Sequence, residues 1–140
     1  VKWQIRIASG QELTLTQEDV QIRRHAIECR INAEDPAHGF RPSCGQITLL
    51  HVPGGPWVRF DTALYQGYTI PPFYDSMIAK LIVSARTRAE AIRKMQAALC
   101  EMVVEGVEHN AQTHIDLLSE PAFTDGTYTT DFLEKRSARE

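Results

Sequence analysis

Arg30 stands two residues after Glu28 and two before Asn32, the spacing in this chain most able to do chemistry. Residues two apart on a strand share a face, so Ile27, Cys29, Ile31 and Ala33 form one apolar side while Glu28, Arg30, Asn32 and Glu34 form the other. The arginine then has a carboxylate and an amide each about 7 Å away along the strand. Two readings of this row stay open. One is a half-solvated sheet face with cross-strand ion pairs. The other is an anion site, because an arginine held by its neighbours on a rigid strand presents a fixed fork of donors to a carboxylate or an oxyanion.

Other chemistry-bearing residues assemble less readily into a site. His25 shares a face with Cys29, but four strand residues span about 13 Å, too far for two ligands of one ion, so no metal site is expected. Three cysteines at unrelated spacings do not read as a disulfide framework, and Cys29 reads as a small buried hydrophobe. Pro53-Gly54-Gly55-Pro56 is glycine-rich, yet its prolines remove donors and no helix start follows, so a hairpin turn is expected rather than a phosphate cradle. Tyr74 and Asp75 stand at the mouth of a later strand, where Asp75 either closes the loop by accepting backbone amides or faces a ligand. Trp57 and Arg59 make an aromatic-basic pair, either a solvated strand end or an interface anchor. His114 falls on the apolar stripe of a helix and reads as a satisfied core residue.

These side chains need a scaffold, and the pattern supplies one. Val1 to Gly10 reads as the last turns of a helix ended by glycine, with no cap before it, so the chain is expected to be a piece of a longer protein. Leu13 to Leu15 and Val20 to Ile22 suggest short extended segments around a polar turn at 16–19. The strand through Arg30 is broken at Asp35-Pro36. A loop leads to a second strand over 46–52, the Pro-Gly-Gly turn follows, and Trp57 to Asp61 is its return strand. Met77, Ala79, Leu81, Val83 and Ala85 share one face of a strand that also carries Ile78 and Ile82 on the other, as a central strand does. Thr87 to Glu90 is a capping box opening a helix with Ile92, Met95, Leu99, Met102 and Val103 inward. A short strand at 103–107 precedes Asn110, the expected N-cap of a second helix. Phe132 and Leu133 are expected to pin a last helical turn to the body. Strands first and helices later argue for an α+β fold, an antiparallel β-sheet with a few helices packed on one side.

With 140 residues, 43% hydrophobic and 24% charged, the chain has the balance of one soluble globular domain, taken as 1–140. A net charge of −3 with interspersed signs gives no basic stripe for nucleic acid. No apolar run spans a bilayer and no signal peptide is seen, so a cytoplasmic protein without membrane attachment is expected. The residues alone assemble no nucleophile-base pair, phosphate loop or defensible metal-binding carboxylate pair.

The run His25 to Pro36 (HAIECRINAEDP), Pro42-Ser43 with Gly45, Pro53-Gly54-Gly55, Gly67-Tyr68 and Tyr74 to Leu81 together closely resemble the C-terminal domain of biotin carboxylase, the ATP-dependent subunit of bacterial acetyl-CoA carboxylase. The resemblance covers essentially the whole chain. It departs where Arg24 replaces an expected glycine, Cys44 an expected proline and Pro56 an aromatic followed here by Trp57. It implies an antiparallel sheet with a few helices. It also implies an enzyme that makes carboxyphosphate from MgATP and bicarbonate and carboxylates the ureido nitrogen of biotin on the biotin carboxyl carrier protein. That reaction opens malonyl-CoA formation and fatty acid biosynthesis. Arg30 matches the family arginine that stabilises the ureido oxyanion, with Glu28, Asn32, Tyr74 and Asp75 as candidate supports. ATP and Mg or Mn would be bound mainly by an ATP-grasp part upstream of Val1, so this domain would form one wall of the cleft and be inactive alone. The resemblance further implies a homodimer with Arg59 and Trp57 at its interface, and a carboxyltransferase partner. The same domain occurs in pyruvate and acyl-CoA (propionyl and methylcrotonyl) carboxylases, which stay open, as does a non-catalytic structural or interaction module.

Overall fold

A computed structural model describes residues 1–137. The elements are α1 (Lys2–Ala8), β1 (His25–Asn32), β2 (Glu34–Asp35), β3 (Arg41–Pro42), β4 (Gly45–Gln46), β5 (Leu49–His51), β6 (Val58–Thr62), β7 (Thr69–Ile70), β8 (Met77–Ala85), α2 (Arg88–Glu101), β9 (Val103–Glu105), α3 (Ala111–Ser119), α4 (Pro121–Asp125) and α5 (Phe132–Ser137). The architecture is α+β, and every ladder is antiparallel.

β8 is the middle strand of the sheet that carries Arg30, in the order β1-β8-β6. Its two-sided apolar sequence suits that place, since Ala79, Leu81, Val83 and Ala85 are buried beneath α2 and Ile78 is buried on the reverse. α2 lies across β8 and β1, setting Ile92, Met95 and Leu99 in one cluster with Cys29, Ile31, Leu81 and Val83. Thr87 Oγ1 accepts the Glu90 amide at 3.2 Å, as a capping box requires. The reciprocal bond is displaced by one residue: Glu90 accepts from the Arg86 amide at 3.1 Å rather than from Thr87.

Three expectations are corrected. Residues 46–52 are not one strand, because the chain changes partner at its middle. Ile47 exchanges backbone bonds with Tyr68 (2.8 Å) and Gly67 (2.7 Å), while the Thr48 amide turns to Glu105 O at 2.9 Å. β4 accordingly pairs with β7 and β5 with β9. The Pro-Gly-Gly turn is therefore not a hairpin turn, and β6 beyond it joins β8 instead of returning along 46–52. Finally, Leu13 to Leu15 and Val20 to Ile22 enter no ladder among the described residues and flank a 3-10 turn at Gln17–Asp19.

Gly106 is what lets β9 approach β5. At φ +101° an added Cβ would stand 1.9 Å from Gln46 O, a backbone atom that cannot move aside independently.

Candidate functional site

The side of the sheet opposite α2 is the side of Arg30. Register places Arg30 opposite Lys80 and Lys80 opposite Asp61, with Glu28 opposite Ile82 and Ile82 opposite Arg59. Directly opposed residues of antiparallel strands share a face, so five charged groups gather there. Two ion pairs take up four of them. Lys80 Nζ lies 3.8 Å from Glu28 Oε1, and Arg59 donates through Nε (3.0 Å) to Asp61 Oδ2, with its Nη2 2.8 Å from the same oxygen. Arg30 is the fifth. Among the described residues its guanidinium makes one hydrogen bond, from Nε to Met77 Sδ at 3.2 Å, which leaves both terminal nitrogens available.

Glu28 and Asn32 therefore do not hold the Arg30 side chain, contrary to the expectation that its strand neighbours would. Glu28 turns to Lys80, its diagonal neighbour on β8, which lies within reach of its side chain. Asn32 Nδ2 donates to Glu34 Oε1 (3.3 Å), which also accepts from Ser76 Oγ at 2.5 Å, and Asn32 Oδ1 is buried without a partner among the described residues. Asp75 takes the loop-closing role: its Oδ1 accepts the Met77 amide at 2.7 Å, fixing the residue whose sulfur receives Arg30. Tyr74 is 83% exposed beside it.

Trp57 and Arg59 do not pair with each other. Trp57 is 62% exposed, sits at φ +65° and lies under the Arg24 guanidinium, 4.0 Å from its ring centre. Arg24 and Trp57, both at or next to departures from the resembled pattern, thus meet in space.

What immobilises Arg30 is its own backbone. β1 is an edge strand, and its outward groups at Arg30 and Asn32 lack a strand partner. Arg30 O accepts from Asn110 Nδ2 at 3.2 Å and from His114 Nε2 at 2.9 Å, so that imidazole nitrogen carries the proton. Asn110 also accepts the Asn32 amide on Oδ1 (2.9 Å) and donates its own amide to Asn32 O (3.2 Å). At the N-cap position of α3 its side chain makes no capping bond, forgoing a contact worth about 1 kcal/mol. His114 is as expected a satisfied residue, though half-buried rather than in the core. Neither role was visible locally, because an asparagine ahead of a helix reads as a cap and only tertiary contact brings α3 to β1.

Beneath the face, burial and then the Glu28 charge push the Cys29 thiol up to about 12. It is neither nucleophile nor ligand at neutral pH. Among the described residues no three His, Cys, Asp or Glu side chains lie close enough to share an ion, and the Pro-Gly-Gly loop runs into a strand instead of a helix N-terminus. These residues fit neither a resident metal nor a nucleotide.

The domain is an antiparallel α+β fold that presents on an open sheet face a strand arginine with no carboxylate partner among the described residues, a group suited by its chemistry to an anion. The chain is a member of the biotin carboxylase C-terminal domain family, whose sequence model matches residues 28–135. It is 53% identical over 134 residues to biotin carboxylase 1 of Bacillus subtilis, covering 96% of this chain and 30% of that protein. It is 50% identical over 135 residues to a pyruvate carboxylase subunit of Methanothermobacter thermautotrophicus, covering 96% and 28%. A solved structure of the biotin carboxylase domain dimer of Hydrogenobacter thermophilus 2-oxoglutarate carboxylase, with MgADP, ADP and bicarbonate, superposes with a TM-score of 0.86 at 46% identity over 97% of this chain and 30% of that one. The chain thus spans about three-tenths of the length of these relatives.

Proposed function

We propose that this domain, 1–140, supplies one wall of the biotin-carboxylating cleft of a longer biotin-dependent carboxylase, with Arg30 as its catalytic residue. Biotin, brought on a carrier protein, accepts at a ureido nitrogen the carboxyl group derived from bicarbonate at the expense of ATP. Removing that nitrogen's proton builds negative charge on the ureido oxygen. The free terminal nitrogens of Arg30 suit that charge, since a guanidinium fixed before the reaction need not reorganise as the oxyanion forms. The observation that carries the reading is that Arg30 has a pinned backbone and no carboxylate partner among the described residues, while its neighbours Glu28, Lys80, Arg59 and Asp61 are paired. Glu28 acts at one remove, by engaging Lys80.

Nucleotide and metal ions are assigned to the parts of the parent protein outside this chain, and the isolated chain is expected to release no ADP in a bicarbonate-dependent assay. In the full-length parent, Arg30→Ala should lower biotin carboxylation by on the order of a hundredfold or more while leaving ATP binding nearly intact. Equal loss of nucleotide affinity would return Arg30 to a structural role.

The family contains carboxylases acting on different final acceptors. We assign the parent to acetyl-CoA carboxylase, making malonyl-CoA for fatty acid synthesis in the cytoplasm with a biotin carboxyl carrier protein and a carboxyltransferase; similarity to the Bacillus protein supports this. Similarity to the pyruvate and 2-oxoglutarate enzymes favours the alternative of a keto-acid carboxylase. Carboxylation assays with acetyl-CoA, pyruvate and 2-oxoglutarate, using the cognate carboxyltransferase, separate the two. The dimeric structural relative supports a homodimeric parent, with exposed Trp57 and Arg59 as interface candidates. Sedimentation of Arg59→Glu in the full-length protein should show weakened dimerisation, and unchanged affinity would remove Arg59 from the interface.

A further inference from the structure

We infer that Asn110 and His114 are positioning residues for Arg30, an inference that rests on the role proposed for Arg30 above. Together they stand in for the strand that β1 lacks on its outer edge. A strand partner would offer an acceptor to the Asn32 amide and a donor to Arg30 O, two residues apart; the Asn110 side-chain amide supplies both from one planar group. The Asn110 backbone amide adds a third bond, to Asn32 O, and His114 Nε2, one turn along α3, adds a second donor to Arg30 O.

The arrangement is specific in chemistry. Asn110 is 7% exposed, the one buried polar residue among those described, so its own polar groups are largely shielded from water, where a missing partner is penalised most. Aspartate there would face Arg30 O with an oxygen, and leucine would leave both strand groups unsatisfied. Asparagine at the start of a helix ordinarily caps it, and this one leaves the cap unmade to bridge the strand. The consequence is confined to the strand around Arg30. Among the described residues the side chain has a single anchor, the Met77 sulfur, so where its terminal nitrogens point depends on where the strand holds its Cα. A catalytic donor displaced by a fraction of an ångström loses much of its effect on a developing charge.

The test uses the full-length parent and free biotin as the probe. Asn110→Ala and His114→Leu should each lower kcat for biotin carboxylation by about tenfold, with the KM for ATP unchanged. His114→Gln, whose Nε2 keeps a donor, should restore the rate to within about threefold of the starting enzyme. In an Arg30→Ala background the same two substitutions should change the residual rate by less than about twofold, because groups that act through Arg30 have nothing left to position. If Asn110→Ala fails to fold by near-ultraviolet circular dichroism, the His114 variants decide. Equal fold losses with and without Arg30, or a KM for ATP that rises in step with the loss of kcat, would overturn the positioning role while leaving that of Arg30 intact. Full carboxylation by Arg30→Ala alone would sink both.

Discussion

Residues 1–24 and the sheet that follows carry apolar side chains at comparable spacings and meet opposite ends. Ile5, Ile7, Leu13, Leu15, Val20 and Ile22 are all exposed, Ile22 at 95%, whereas Ile31, Leu81, Val83 and Met95 are fully buried. Alternation in sequence says which side chains a strand would bury if a partner lay alongside. It does not provide the partner. β1 finds β8 on one side and the Asn110–His114 pair on the other, and α2 closes its apolar face. Residues 11–24 find neither among the described residues.

The contrast breaks hardest where the body leaves no slack. Gly106→Ala should destabilise by more than about 3 kcal/mol or abolish folding, since it combines positive φ with a clash against backbone. Urea unfolding of the purified chain measures this, and a loss under about 1 kcal/mol would mean that the β5-β9 ladder is separable from the core. Leu81→Ala, at the fully buried centre of the sheet, should cost about 2–5 kcal/mol on the same assay. A loss within the surface range would show that the core is looser than its burial implies.

A smaller effect comes from pH. The Cys29 thiol is held protonated to about 12 in the fold, above the value of a free cysteine. Both states keep the proton below the unfolded value, so the fold is unaffected there. Above it the unfolded chain ionises first, and stability falls as pH rises toward the folded value, by at most about 1.4 kcal/mol per pH unit. Cys29→Ala should flatten this alkaline decline without removing that of other groups. Near pH 8 a thiol reagent should modify exposed Cys44 and Cys100 and spare Cys29. Rapid modification of Cys29 would mean that the edge of β1 opens readily.

How much was legible in sequence follows the same division. Local signals held: the two-sided apolar run of β8, the helical stripe of α2, the break at Asp35-Pro36 and the face on which Arg30 lies. What failed was pairing. Nothing in 46–52 announces that the chain switches partner between Ile47 and Thr48, because both halves read as strand and the partners lie some twenty and nearly sixty residues away. The site divides likewise: Arg30 was visible from alternation and from resemblance. Met77, Asn110 and His114 reach it only through tertiary contact, and Glu28 and Asn32 engage Lys80 and Glu34 instead of the Arg30 side chain.

The smallest expected effect tests the comparison most directly. Ile5→Gln with Ile22→Gln should change the stability of this chain by no more than about 0.5 kcal/mol, because exposed apolar groups give up nothing when replaced by polar ones. Burying each fully would instead stabilise by about 1.5–3 kcal/mol. This chain spans about three-tenths of its relatives' length, and regions outside it are where partners for residues 1–24 are proposed to lie. The same double substitution in the full-length parent should then lower stability by a few kcal/mol and raise protease sensitivity within 1–24. Equal and negligible effects in both proteins would show that the exposed segment is a solvated connector. A substantial loss in the short chain would show that residues 1–24 pack on the sheet in solution, removing the contrast between the two regions.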